Sequence, residues 1–92
     1  MPFTHWMIFG QAKEGVTTDT APKAWAEFKK ALEATNLEMM GPWGPFGVPE
    51  GMCYMLKGKN TDFEKYIGSD TWQKCPIEKS RTISLFTMPW AE

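Results

Sequence analysis

The 92-residue chain predicts an α+β domain in the order strand, helix, strand, strand, helix, strand. Three observations carry that prediction. Strand-like runs rich in apolar, aromatic and β-branched residues occur at 4–11, 37–43, 52–58 and 81–88. Apolar residues recur at helical spacing after Thr20. A Thr61-to-Glu64 capping pattern then opens a second helix.

The first run, THWMIFGQ, sets His5, Met7 and Phe9 against Thr4, Trp6 and Ile8, and both sets are largely apolar. A polar, Thr-rich loop follows. Thr20 stands where an N-cap belongs, and Pro22 lies in the first turn, where its missing N–H leaves no helical bond unmade. Trp25, Phe28 and Leu32 then share one face with Ala21, Ala24 and Ala31 beside them, while Lys23, Glu27, Lys30 and Glu33 fall largely opposite. This pattern gives an amphipathic helix of about four turns, ending near Asn36.

Leu37–Trp43 reads as the second strand, with Pro42 marking an edge or a bulge. The segment 41–51, GPWGPFGVPEG, holds four Gly and three Pro. It cannot be a regular central strand and reads as a stiffened hairpin connection that shapes and closes a dimer. Within it, Glu50 reads as an exposed turn residue. Met52–Gly58 sets Met52, Tyr54 and Leu56 against Cys53, Met55 and Lys57. In the second helix Phe63, Tyr66 and Ile67 share a face, and Gly68 interrupts it. Ser69 or Asp70 caps a further short turn holding Trp72, which Pro76 ends. Arg81–Met88 is the fourth strand, and Pro89 stops its pairing.

This order matches the split βαβ, ferredoxin-like arrangement: a single domain over 1–92 with a four-stranded antiparallel sheet and both helices on one face. The other face is then bare. Strands one and three carry apolar residues on both sides, and a bare apolar sheet face calls for a cover. A second copy packed sheet to sheet about a two-fold axis supplies it, so a homodimer is expected.

Composition narrows the function. Ten basic and eleven acidic residues are interspersed, for a net charge of −1. There is no basic stripe for nucleic acid. No apolar run approaches the roughly 18 residues of a membrane span, and MPFTHWMIFG lacks the features of a signal peptide, so a cytoplasmic location is expected. Cys53 and Cys75 read as reduced, partly buried thiols rather than metal ligands, since a zinc site needs about four donors. No phosphate-cradling Gly motif opens onto a helix. No cofactor is expected.

The pieces THWMIFG, APKAWAEFKKALEA, LEMMGPWGPFGVPEG, MCYMLKGKNTDFEKYI and RTISLFTMPW together resemble the dimeric α/β-barrel superfamily, closest to its small single-domain members. The resemblance covers nearly the whole chain, as a pattern of elements and turns without a catalytic signature. It implies a homodimer that binds a compact apolar or aromatic molecule in a cleft between sheet and helices. It also implies chemistry of the cyclase, isomerase or cofactor-free oxygenase kind.

His5 is the candidate catalytic base, as the only histidine and the side-chain type that titrates near neutrality. Polyketide cyclases of the superfamily carry a first-strand His in that role. Met7 and Phe9 share its face and are candidate ligand contacts, with Trp43 at the rim. Tyr54 and Met55 alternate on strand three, so only one of them shares the His5 face. The alternative is a non-catalytic structural or interaction module that presents Trp43 and Phe46 from the 41–51 loop.

Overall fold

The computed structural model describes residues 2–91. It shows an open four-stranded antiparallel sheet and three helices. The strands are β1 (His5–Ala12), β2 (Glu38–Trp43), β3 (Met52–Lys57) and β4 (Ile77–Leu85). The helices are α1 (Ala21–Leu32), α2 (Asn60–Ile67) and α3 (Asp70–Gln73), with 3-10 turns at Glu33–Thr35 and Pro89–Ala91. Strand order is β2-β3-β1-β4, with each neighbouring pair antiparallel.

One face of the sheet makes the core. Trp6, Ile8, Met39, Tyr54, Leu56 and Ile77 pack there against Trp25, Phe28 and Leu32 of α1 and Tyr66 of α2. Trp6 lies flat on Phe63, with ring centroids 4.3 Å apart and planes 4° from parallel. Trp25, Phe28 and Tyr54 meet edge to face at 5.5–5.9 Å. Such pairs add specificity of geometry to the burial of large apolar surfaces. A small hydroxyl network lies at the centre: the Tyr54 and Tyr66 hydroxyls are 2.9 Å apart, and Cys75 Sγ donates to Tyr54 Oη at 3.4 Å. Burial pushes both phenols above the ordinary tyrosine value, so the pair is neutral.

Several local expectations change. Thr20 is the N-cap residue of α1, but its hydroxyl donates back to Gly15 O and accepts from Thr17 N instead of capping the helix. The loop before the helix takes the hydroxyl first. The Thr61–Glu64 capping box does not form. α2 begins at Asn60, whose Nδ2 donates to Glu64 Oε1 at 3.2 Å, so Thr61 is already inside the helix. Helix α1 ends at Leu32 and tightens into the 3-10 turn, and Asn36 then adopts φ 63° to reverse the chain.

The largest revision concerns strand four, which starts at Ile77 rather than Arg81 and ends at Leu85 rather than Met88. A β-bulge at Ser80 explains why its first half was hidden. The register runs Ala12–Ile77, Gln11–Glu78, Gly10–Lys79 and then Phe9–Arg81, so Ser80 is the extra residue. Ile77 and Lys79 face the helices, and Lys79 Nζ donates to Trp72 O at 2.7 Å while lying over the Trp72 ring. Beyond the bulge, Arg81, Ile83 and Leu85 face the other way. A simple period of two cannot connect the halves.

A second bulge lies in β2. Met40 pairs with Met55 and Trp43 with Cys53, so two residues, Gly41 and Pro42, stand in the kink opposite Tyr54 alone. Both Met40 and Trp43 thereby reach the face opposite the helices. The shortest dimension of the molecule is 19 Å. That is room for one sheet and one helix layer at about 10 Å each, so among the described residues no second helix or sheet layer covers the other sheet face.

Candidate functional site

That second face is ordered by the ladder into three rows that cross all four strands. Glu38, Lys57, His5 and Leu85 form a mixed row at one end. Met40, Met55, Met7 and Ile83 form the middle row. Trp43, Cys53, Phe9 and Arg81 form the third. The middle row is apolar from edge to edge and only partly covered: the three Met are half-buried and Ile83 is exposed. Phe3 and Phe86, with rings 6.3 Å apart, extend the apolar surface beyond Leu85.

The third row is closed over by the end of the 41–51 loop. Glu50, expected as an exposed turn residue, is buried, and it is the one charged residue so placed among the described residues. Its carboxylate, carried by the segment just before β3, meets side chains of β4 across β1. There Arg81 Nε donates to Oε2 at 2.7 Å and Arg81 Nη2 to Oε1 at 3.2 Å, while Ser80 Oγ donates to Oε2 at 3.1 Å. The guanidinium carbon lies over the Phe9 ring, 4.6 Å from its centroid. Gln11 Nε2 donates to Pro49 O at 3.3 Å and holds the loop from the other side. Phe9 and Cys53 are buried beneath this clasp, outside the main core. Burial raises the Cys53 thiol above its ordinary value, which keeps it in the less reactive protonated form.

The Arg81 hydrogen bonds hold the Glu50 carboxyl below the ordinary value of 4.5. The sign of the pH dependence follows. A depressed folded value means that the clasp stabilises the loop fully above the ordinary value and ceases to as pH falls through the lowered one. Acid is therefore expected to release residues 44–51 only as pH falls through the lowered Glu50 value, while the main core stays folded. NMR of the Arg81 Nε–H resonance reads this directly. In the Glu50→Gln variant the resonance is expected to lose its protection at neutral pH and its dependence on acid. Unchanged protection in that variant would show that the clasp holds nothing.

His5 lies at the other end of the face, half-buried, with Nδ1 2.8 Å from Thr4 Oγ1, which is itself 3.5 Å from Thr87 Oγ1. This hydroxyl pair fixes the ring by one nitrogen and leaves Nε2 for another partner. Met7, Phe9 and Met55 share the face with His5, so the alternation on β3 resolves in favour of Met55. Tyr54 points the opposite way, wholly buried in the core with both neighbours of its hydroxyl already placed. Trp43 stands at the rim, 44% exposed, and Phe46 at the loop tip is fully exposed.

The cleft expected between sheet and helices is filled by the core side chains, and His5 looks away from it. The helix side does carry a depression of about 370 Å³, lined among others by Lys13, Phe28, Lys74 and Cys75, but none of the expected site residues reaches it. Among the described residues no group of three or more His, Cys, Asp and Glu could hold a metal ion, and no helix is long and apolar enough to cross a membrane.

Sequence reasoning missed Met40, Ile83, Leu85 and the Glu50–Arg81 clasp. Pro42 in the second strand signalled the bulge that brings Met40 and Trp43 to one face. Nothing in the local pattern around Glu50 or Arg81 paired them. No family model, curated protein or solved structure matches this chain.

Proposed function

We propose that the protein is a homodimer of the ferredoxin-like, α/β-barrel kind, in which two copies bring their open sheet faces together and hold a compact apolar or aromatic molecule between them. One observation carries this reading: the row Met40–Met55–Met7–Ile83, apolar across every strand, with no helix or sheet layer upon it among the described residues. Met side chains adapt to varied apolar partners, which suits a chamber that must pack both against a second copy and around a ligand. The strand order supports the ferredoxin-like part of the reading. The mixed row at one end and the clasp at the other bound the apolar strip, so the chamber has polar limits.

His5 supplies the proton-transfer group of this chamber. In the tautomer whose Nδ1–H donates to Thr4 Oγ1, Nε2 holds a lone pair and accepts a proton from a ligand hydroxyl or activated C–H. The chemistry this supports is single-base proton transfer, as in cyclases, isomerases and cofactor-free oxygenases. The test is a panel of compact aromatic probes such as indole and naphthol, with binding followed by tryptophan fluorescence. The unmodified protein is expected to bind at least one, and His5→Ala to weaken that binding about tenfold, the loss of one good hydrogen bond. Identical affinities across the panel would remove His5 from the site.

The exposure of Trp43 and Phe46 favours a second reading, a non-catalytic module that presents these rings from loop 41–51 to another protein. Phe46→Ala separates the two. It leaves probe binding by the Met row intact under the first reading, and weakens partner binding under the second.

A further inference from the structure

We propose that the free edge of β4 is a second interaction surface, and that its occupant is β4 of another copy, paired antiparallel about a two-fold axis at Ile83. The starting observation is that the two sheet edges are unequally protected. β2 is six residues long and is broken by the bulge at Gly41 and Pro42, features that discourage pairing along an edge. β4 is nine residues long and contains no Pro. After the Ser80 bulge it runs regularly from Arg81 to Leu85, and every residue of that run is exposed. Its one charge, Arg81, is turned inward to Glu50. Among the described residues, the run makes backbone hydrogen bonds only to β1 and to Thr4 just before it. The outward N–H and C=O groups of such a strand are a template for another strand.

The helix layer does not shield this edge either. Thr82 and Ser84 pair with Ile8 and Trp6 and so point to the helix side, yet both are exposed. The strand overhangs the core on that side.

Self-complementarity favours a second copy over a foreign strand. Antiparallel pairing centred on Ile83 sets Ile83 opposite its counterpart, Thr82 opposite Ser84 of the second copy, and Arg81 opposite Leu85. Thr–Ser pairs are favourable across strands, and no like charges face one another in this register. The same register joins the two apolar middle rows end to end through the paired Ile83 residues, so one strip runs across both sheets. Phe86 and Met88, exposed just beyond the strand, add apolar surface beside the seam. Combined with face-to-face dimers, the edge yields a tetramer of two-fold symmetric contacts, although edge pairing itself does not depend on the face contact.

Sedimentation of the full chain tests this with two variants. Thr82→Lys/Ser84→Lys places like charges opposite one another across the seam and leaves the open face untouched. Met7→Glu alters the face and leaves the edge untouched. The unmodified protein is expected to sediment at four times the 10.5 kDa chain mass, and each variant at half that assembly. Equal masses for the double-Lys variant and the unmodified protein would overturn the edge proposal. A dimer lost in Met7→Glu but kept in the double-Lys variant also overturns it and leaves the face reading standing; the reverse pattern upholds the edge and defeats the face. Hydrogen exchange of the unmodified protein supplies a readout free of folding effects. Amides of residues 81–86 are expected to slow as concentration rises, and concentration-independent exchange there counts against the proposal.

Discussion

Met7→Glu is expected to separate the face-to-face partners while leaving each chain folded. Met7 sits at the middle of the sheet face, paired with Met55 on one side and Ile83 on the other. In a free chain its side chain is half-exposed, so a carboxylate there can keep its water. In the proposed dimer the same carboxylate is pressed between Met55 and Ile83, its direct cross-strand neighbours, and the Met row of the second copy. An uncompensated buried charge costs about 3 kcal/mol or more, equivalent to roughly 100-fold in the dissociation constant. Sedimentation at micromolar concentration measures the association, and thermal unfolding followed by circular dichroism checks that the fold survives. An unchanged association constant would falsify the face-to-face reading, because no position on that face is more central.

The second large effect concerns the fold. Gly10 lies in β1 where β4 bulges toward it, and a Cβ there would stand 2.1 Å from the Glu78 carbonyl oxygen and 3.2 Å from the Ile77 side chain. The obstacle is backbone, which cannot rotate away. Gly10→Ala is therefore expected to part β1 from β4 at the bulge and to cost about 3 kcal/mol, at the upper end for overpacking. For a domain of this size that corresponds to a fall of roughly 15 °C in melting temperature. Gly44→Ala is the control, since nothing lies within 4 Å of its added Cβ. It is expected to melt within a degree or two of the unmodified chain, by about a few tenths of a kcal/mol either way. If the two variants melt alike, the close approach at Gly10 is not what fixes the β4 register.

Both predictions depend on features of very different visibility in the sequence. That His5, Met7 and Phe9 share one face of the first strand, and Trp6 and Ile8 the other, was legible because a strand alternates strictly. The same holds for Tyr54 against Met55 on the third strand. What alternation could not say was which set meets the helices, because both sets are apolar. The tertiary structure decides it by volume: Trp6, Ile8, Tyr54 and Leu56 interlock with Trp25, Phe28 and Tyr66. The Met-rich set is left outside. Tyr54 thus belongs to a closed hydroxyl network and Met55 to the open row.

The helix starts show a different limit. Thr20 and Thr61 have the right chemistry for caps, and in both places a competing local bond takes the hydroxyl or the helix start moves by two residues. Side-chain caps and turn bonds are similar in strength, so context selects between them.

By itself, then, the sequence determined the four strand-forming runs, the amphipathic helix after Thr20 and the stiff connection at 41–51, because periodicity and the φ preferences of Gly and Pro act within a few residues. Only the tertiary structure decided the two bulges, the half of β4 before Arg81, and the clasp that joins Glu50 to Arg81 across β1. Each of these is a relation between segments thirty or more residues apart or a one-residue shift between strands. The physical reason is that a bulge inverts every later side chain relative to the alternation, and a salt bridge depends on where two chain segments meet rather than on what surrounds either residue in sequence.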